Sequence, residues 1–195
     1  MRFRSTFLAF IAAAIPVSAL AAPPSAASAK PAATELSFRR VELKPNQGGG
    51  MPLPYTIEVP QDWQVRQVEG YSGLWLGPAD AKPPQDPRLI WVRGSTVSLA
   101  KPEEVVANIK ANDAAKPEWT APRVEVKEVG GVRGVLVRMD TGEGDKARSS
   151  LTLKLPLESL ALDFVASADR ADFEKQLPLY ERILLSVRPA AAKAK

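Results

Sequence analysis

Hydrophobic and polar residues alternate most cleanly in the second half of the chain. Val124 and Val126 alternate with Arg123, Glu125 and Lys127, the period-2 pattern of a strand with one buried face. Gly130-Gly131 follows, a pair that supplies the positive φ values of a two-residue hairpin, and Val132–Met139 returns. After a polar tip at Asp140–Lys146, Leu151, Leu153, Leu155 and Leu157 fall on one face of a further strand. Leu160, Leu162 and Phe164 repeat the pattern after a short turn, so an antiparallel meander is expected here. A last helix should start near Ser167 or Asp169, either of which can cap it. Phe173, Leu177, Tyr180 and Leu184, spaced 4-3-4, form its stripe, and Pro178 removes one backbone donor within it.

The first half gives shorter signals. Leu36 and Phe38, with either Val41 or Leu43, mark a strand that ends at the loop Pro45–Gly50. Tyr55, Ile57 and Val59 alternate with Thr56 and Glu58 until Pro60 stops the run. Gln64–Glu69 and Tyr71–Leu76 pair as a hairpin about Gly70, and Pro78–Pro87 reads as a long proline-rich loop. Arg88–Arg93 has four consecutive apolar positions, which suits a strand covered on both faces. Pro102 then opens a helix with Glu103 and Glu104 in its first turn and Val105, Val106 and Ile109 as its buried stripe. One mixed domain of the α+β class is expected over 35–188.

The ends read differently. Met1–Arg4 is basic, Phe7–Ile15 apolar and Ala19-Leu20-Ala21 a small-x-small site, so 1–21 is expected to be a secretory signal peptide. Pro16 breaks the apolar run, which is short for a membrane span, and none is expected after cleavage. Residues 22–34 are Pro/Ala-rich without periodicity and are expected to be a disordered leader, with 189–195 a similar tail. The expected location is the periplasm or the exterior.

Tyr55, Ile57, Pro60 and Trp63 form an aromatic-apolar strand leading into a Pro-x-x-Trp turn, and Ile183, Leu184 and Ser186 close the last helix. In these residues the stretch from Tyr55 to Arg188 resembles the PsbP-like family and its DcrB-type periplasmic relatives. Asp62 stands where that family usually has glycine. The resemblance implies a central antiparallel β-sheet with helices on both faces, an α/β/α sandwich. It also implies an accessory, assembly or binding role rather than catalysis.

Composition narrows the chemistry further. Among 195 residues there is no cysteine and no histidine. Disulfides, thiolate nucleophiles, a lipoprotein anchor and the commonest transition-metal ligand are therefore excluded, together with the usual general base. The 26 Lys and Arg exceed the 22 Asp and Glu by four, and Arg2 and Arg4 account for two of those. No basic face is evident, so no nucleic-acid partner is expected. Asp140-Thr141-Gly142 matches the aspartic-protease tripeptide, but its setting is a charged hairpin tip and the plainer reading is a solvated turn. Asp140, Glu143 and Asp145 could gather around Ca²⁺, although the EF-hand pattern is absent and a polar turn is again plainer.

Of the four tryptophans, Trp63 and Trp91 are expected in the core. Trp75, which alternates with Tyr71 and Gly73, is expected at the surface, and Trp119 lies in the loop Lys116–Pro122. Trp119, Trp75, Asp140, Glu143 and Asp145 are the candidate partner contacts, with the Pro78–Pro87 loop beside them. No catalytic, cofactor-binding or metal-ligating residue is assigned, and no cofactor is expected. The expected function is a monomeric exported binding or accessory protein, taking an envelope protein or a small apolar or amphipathic ligand. The alternative is a hydrolase relying on carboxylates or Ser/Lys.

Overall fold

Residues 36–44, 53–67, 72–84, 86–115, 119–157 and 160–191 are described by a computed structural model. The expected signal peptide and leader, the Gly70 turn and residues 192–195 lie outside this set.

The meander read from the leucine alternation forms the centre of the larger sheet. Strands β1 (Phe38–Glu42) and β2 (Tyr55–Pro60) pair with each other. β3 (Trp63–Arg66), β4 (Leu74–Pro78) and β5 (Ile90–Ser95) follow. Helix α1 (Pro102–Ala115) precedes β6 (Trp119–Val129), β7 (Val132–Thr141), β8 (Arg148–Leu157) and β9 (Leu160–Asp169). Helix α2 (Arg170–Leu185) and the short β10 (Arg188–Pro189) complete the order. A seven-stranded sheet runs β3-β4-β5-β9-β8-β7-β6, and a three-stranded one β1-β2-β10. All described pairings are antiparallel. Gly130 and Gly131 have φ of +63° and +79°, so the β6–β7 connection is the expected positive-φ hairpin.

The two faces of the large sheet are covered differently. Because successive side chains on a strand point to opposite faces, Leu136 of β7 joins one core while Val135 and Val137 join another. The first core gathers Tyr55, Ile57 and Val59 of β2, Trp63, Leu151, Leu153 and Leu155 of β8, and Phe173, Tyr180, Ile183 and Leu184 of α2. On the opposite face Val105, Val106 and Ile109 of α1 pack against Val124, Val135 and Val137, at the β6–β7 end. Over β4 and β5 the cover on this face is a loop, since Ala81 and Leu89 pack with Trp75 and Trp91. The sandwich expected from the resemblance is thus reproduced in part. One face carries α2 together with a small sheet, and the other carries a helix at one end and a loop at the other.

Several local expectations change. Leu160, expected to repeat the buried pattern, is 45% exposed because it begins β9 beyond the covered part of the face. Asp169 stands at the N-cap of α2, yet its side chain makes no cap and instead meets Arg148 Nη1 at 3.1 Å. The Arg170 N–H is satisfied by the Ala147 carbonyl at 3.0 Å. Residues 189 and 190, expected within a disordered tail, are tied to the small sheet: Pro189 pairs with Tyr55 and the Ala190 N–H donates to the Pro54 carbonyl at 2.8 Å.

The residues behind the family resemblance hold elements together. Tyr55 Oη donates to the Pro156 carbonyl, and its ring meets Phe164 edge-on. Ser186 Oγ accepts the Glu58 N–H at 2.8 Å and donates to the Ile183 carbonyl at 2.6 Å, tying the end of α2 to β2.

Candidate functional site

A cavity of about 270 Å³ opens on the face of the large sheet opposite α2, beneath the proline-rich loop. Its construction starts with Gly77 on β4. A Cβ there would stand 2.5 Å from Leu89 Cδ2 and 3.0 Å from the Arg88 carbonyl, so glycine lets the loop descend onto the strand.

The loop is then fixed from three sides. From β3, the Arg66 guanidinium donates to the carbonyls of Ala79 at 3.2 Å, Pro78 at 3.2 Å and Ala81 at 3.0 Å. Within the loop, Asp86 accepts the Arg88 backbone N–H at 2.9 Å and the guanidinium at 3.0 and 2.8 Å. These hydrogen bonds hold the Asp86 carboxyl below its ordinary pKa. From α2, the buried Tyr180 Oη donates to the Pro87 carbonyl, and burial raises its pKa. Tyr180→Phe should therefore leave that carbonyl without its donor and cost about 1–3 kcal/mol in denaturant unfolding. The faster amide exchange in 86–89 that accompanies it would mark the loop as the part released.

Aromatic residues and arginines line the cavity. Trp75 and Trp91 lie opposite each other across β4 and β5, their rings parallel within 2° and their centroids 5.3 Å apart. Trp91 Nε1 donates to the Ser72 carbonyl at 2.8 Å, which fixes the indole's orientation. Arg93 projects from the same face two residues on, its guanidinium carbon 4.4 Å from the Trp91 ring centroid. Arg148, Val165, Ser167, Leu89, Pro84 and Asp86 complete the lining.

The sequence-derived candidates fall into two groups. Trp75 and the Pro78–Pro87 loop meet at this cavity. The surface position expected for Trp75 is corrected, because at 4% exposure it is buried under the loop. Trp91 is corrected in the other sense: it is half-buried and forms cavity wall instead of core. Trp63, at 4% exposure, does join the main core.

Trp119 is the first residue of β6, not part of a loop, because a bulge between Thr120 and Arg123 carries the strand past Pro122. It pairs with Thr141, which places it beside the Asp140–Lys146 tip and about 24 Å of sheet away from Trp75. Asp140, expected in the solvated tip, is instead a half-buried residue of β7 that meets Arg138 Nε at 3.6 Å, and Arg138 also pairs with Glu174 of α2. Glu143 and Asp145 are exposed in a short 3-10 turn region. Among the described residues no group of three or more carboxylates is close enough to hold a metal ion. The Ca²⁺ reading of Asp140, Glu143 and Asp145 is not supported by their placement.

Sequence reasoning missed Arg66, Arg93, Arg148 and Tyr180 as parts of a site. Tyr180 was legible only as a helix stripe residue, and Arg93 only as the end of an apolar run. A second hollow of about 760 Å³ lies between β1, β2 and β10, lined by Arg40, Glu42, Lys44 and Arg188 among others. No described helix is long and apolar enough to cross a membrane.

No family model and no curated protein matches the chain in sequence. Solved structures do match in fold. The PsbP protein CyanoP of Synechocystis sp. PCC 6803 superposes with a TM-score of 0.50 at 15% identity, over 80% of this chain and 94% of its own. LpqN of Mycobacterium tuberculosis, a protein involved in cell envelope biogenesis, superposes with a TM-score of 0.51 at 15% identity, over 77% of this chain and 90% of its own. At that identity the likeness is one of fold, and it agrees with the Tyr55–Trp63 and Ile183–Ser186 residues: the chain has the PsbP-like fold.

Proposed function

We propose that this protein is a non-catalytic binding or accessory module of the cell envelope, exported through its first 21 residues. Its working surface is the cavity beneath the proline-rich loop. The observation that carries this reading is a preformed hollow whose wall is aromatic and whose loop is fixed by Arg66, Arg88 and Tyr180. Pockets that retain small molecules are concave, mostly apolar and already shaped before binding.

The cavity's chemistry argues against the hydrolase alternative. Among the described lining residues the one carboxylate, Asp86, receives three donors from Arg88 and is held in its ionised form. A general acid needs the opposite shift, and a carboxylate whose pKa is lowered by its pairing with Arg88 is a weakened general base. With no histidine or cysteine in the chain, the remaining side chains of the lining offer no activated nucleophile.

The test uses the mature protein isolated from an envelope fraction. After denaturation, mass spectrometry should find a small molecule near one equivalent with the wild type and none with Trp91→Ala, checked for an unchanged melting curve. A protein partner lost on Trp119→Ala, with no small molecule from either preparation, would move the working surface to the β6–β7 end.

A further inference from the structure

We infer that the cavity selects a small aromatic acid, with its ring against the Trp75–Trp91 wall and its carboxylate on Arg93. This rests on the cavity being the binding site proposed above.

The selection follows from which charges are already engaged. Among the described residues, two guanidiniums and one carboxylate line the cavity. Asp86 is held by Arg88, and Arg148 donates to Asp169 at 3.1 Å. Arg93 differs from both. Its guanidinium lies over the Trp91 ring and, among the described residues, makes no hydrogen bond or ion pair. Its cross-strand neighbour Asp163 turns instead to Lys154, with Oδ2 2.7 Å from Nζ.

Stacking uses the face of a guanidinium and leaves its in-plane donors free. Those donors form a planar fork that matches the two oxygens of a carboxylate. The indole beneath Arg93 fixes where that fork lies. A cation would gain nothing from the described lining, since its one acid, Asp86, already has its counter-charge.

Size sets the second limit. At about 270 Å³ the hollow lies just under the usual range of small-molecule sites, which begins near 300 Å³. One or two fused rings with a short acidic arm fit within that volume, whereas a long acyl chain or a peptide would extend beyond it. Ser167 supplies a hydroxyl in the lining for a second polar group.

Three probes of one shape separate the possibilities: 1-naphthylacetate, 1-naphthylacetamide and 2-(1-naphthyl)ethylamine. Each is titrated into the ¹⁵N-labelled mature protein while the Trp91 indole N–H resonance is followed. The acid should bind at least about tenfold more tightly than the amide, as a charge-assisted bidentate contact requires. Arg93→Gln should bring acid and amide to within about threefold, with the larger loss falling on the acid. Amide or amine binding as tightly as the acid would overturn the inference and leave the cavity as a binding site of other selectivity. If no probe moves the Trp91 resonance at concentrations on the order of 10 mM, both the acid selectivity and the cavity reading fall.

Discussion

Trp63→Ala is expected to lower the unfolding free energy by about 3–5 kcal/mol, seen as a fall in the urea midpoint with an unchanged slope. Trp63 opens β3 directly after the Pro60 turn, and its side chain is 4% exposed. It shares the main core with Ile57 and Val59 of β2 and with the α2 residues Phe173, Tyr180 and Ile183. Removing the indole empties a volume bounded by both sheets and a helix, whose backbones are tied in register and cannot collapse into it. Trp63→Phe keeps most of the apolar volume and should cost less than half as much. An unchanged melting curve for the alanine variant would take Trp63 out of the core, and the Pro-x-x-Trp turn out of its packing role.

Lys154→Met should be comparably costly for an electrostatic reason. Lys154 of β8 and Asp163 of β9 are direct cross-strand partners on the sheet face that carries the cavity. Their side chains are only 15% and 5% exposed, with Nζ 2.7 Å from Oδ2. Asp163 Oδ1 is buried with no hydrogen-bond partner. Lys154 is therefore the main compensation for a carboxylate that water hardly reaches. Removing one member of such a pair leaves an uncompensated buried charge and costs about 3–5 kcal/mol. Replacing both, as Lys154→Met with Asp163→Leu, should recover most of that loss, because two apolar groups bury without charge. If the double variant were no more stable than the single one, packing and not charge would explain the effect.

Both results bear on how far the sequence could be read. The leucine alternation of β8, the Gly130-Gly131 hairpin and the 4-3-4 stripe of α2 were legible because each is a local pattern against one buried face. Even there, Ile183 of α2 is fully buried and was not in the stripe. Trp75 was misplaced for a physical reason. Alternation assumes one wet face, whereas all five residues of β4 are buried because the loop covers its outer face. Trp91 failed in the converse way: four consecutive apolar positions suggested cover on both faces, but its indole is only half-buried where it forms the cavity wall. The cavity itself had no local signature. It depends on Tyr180 reaching Pro87 across 93 residues, and on Arg66 reaching over a hairpin to hold Ala81. Arg93 became visible only when strand pairing showed that Asp163 belongs to Lys154.

The central claim, that the protein works by retaining a small molecule under the proline-rich loop, is tested most directly by its tryptophans. The four indoles report from separate places: Trp63 from the main core, Trp75 and Trp91 from the cavity wall, Trp119 from the start of β6. The ¹⁵N-labelled mature protein is mixed with the small-molecule extract of an envelope fraction, and the indole N–H resonances are compared before and after. Shifts of Trp91 and Trp75, with Trp63 and Trp119 unmoved, are the predicted result. A shift confined to Trp119 would contradict it.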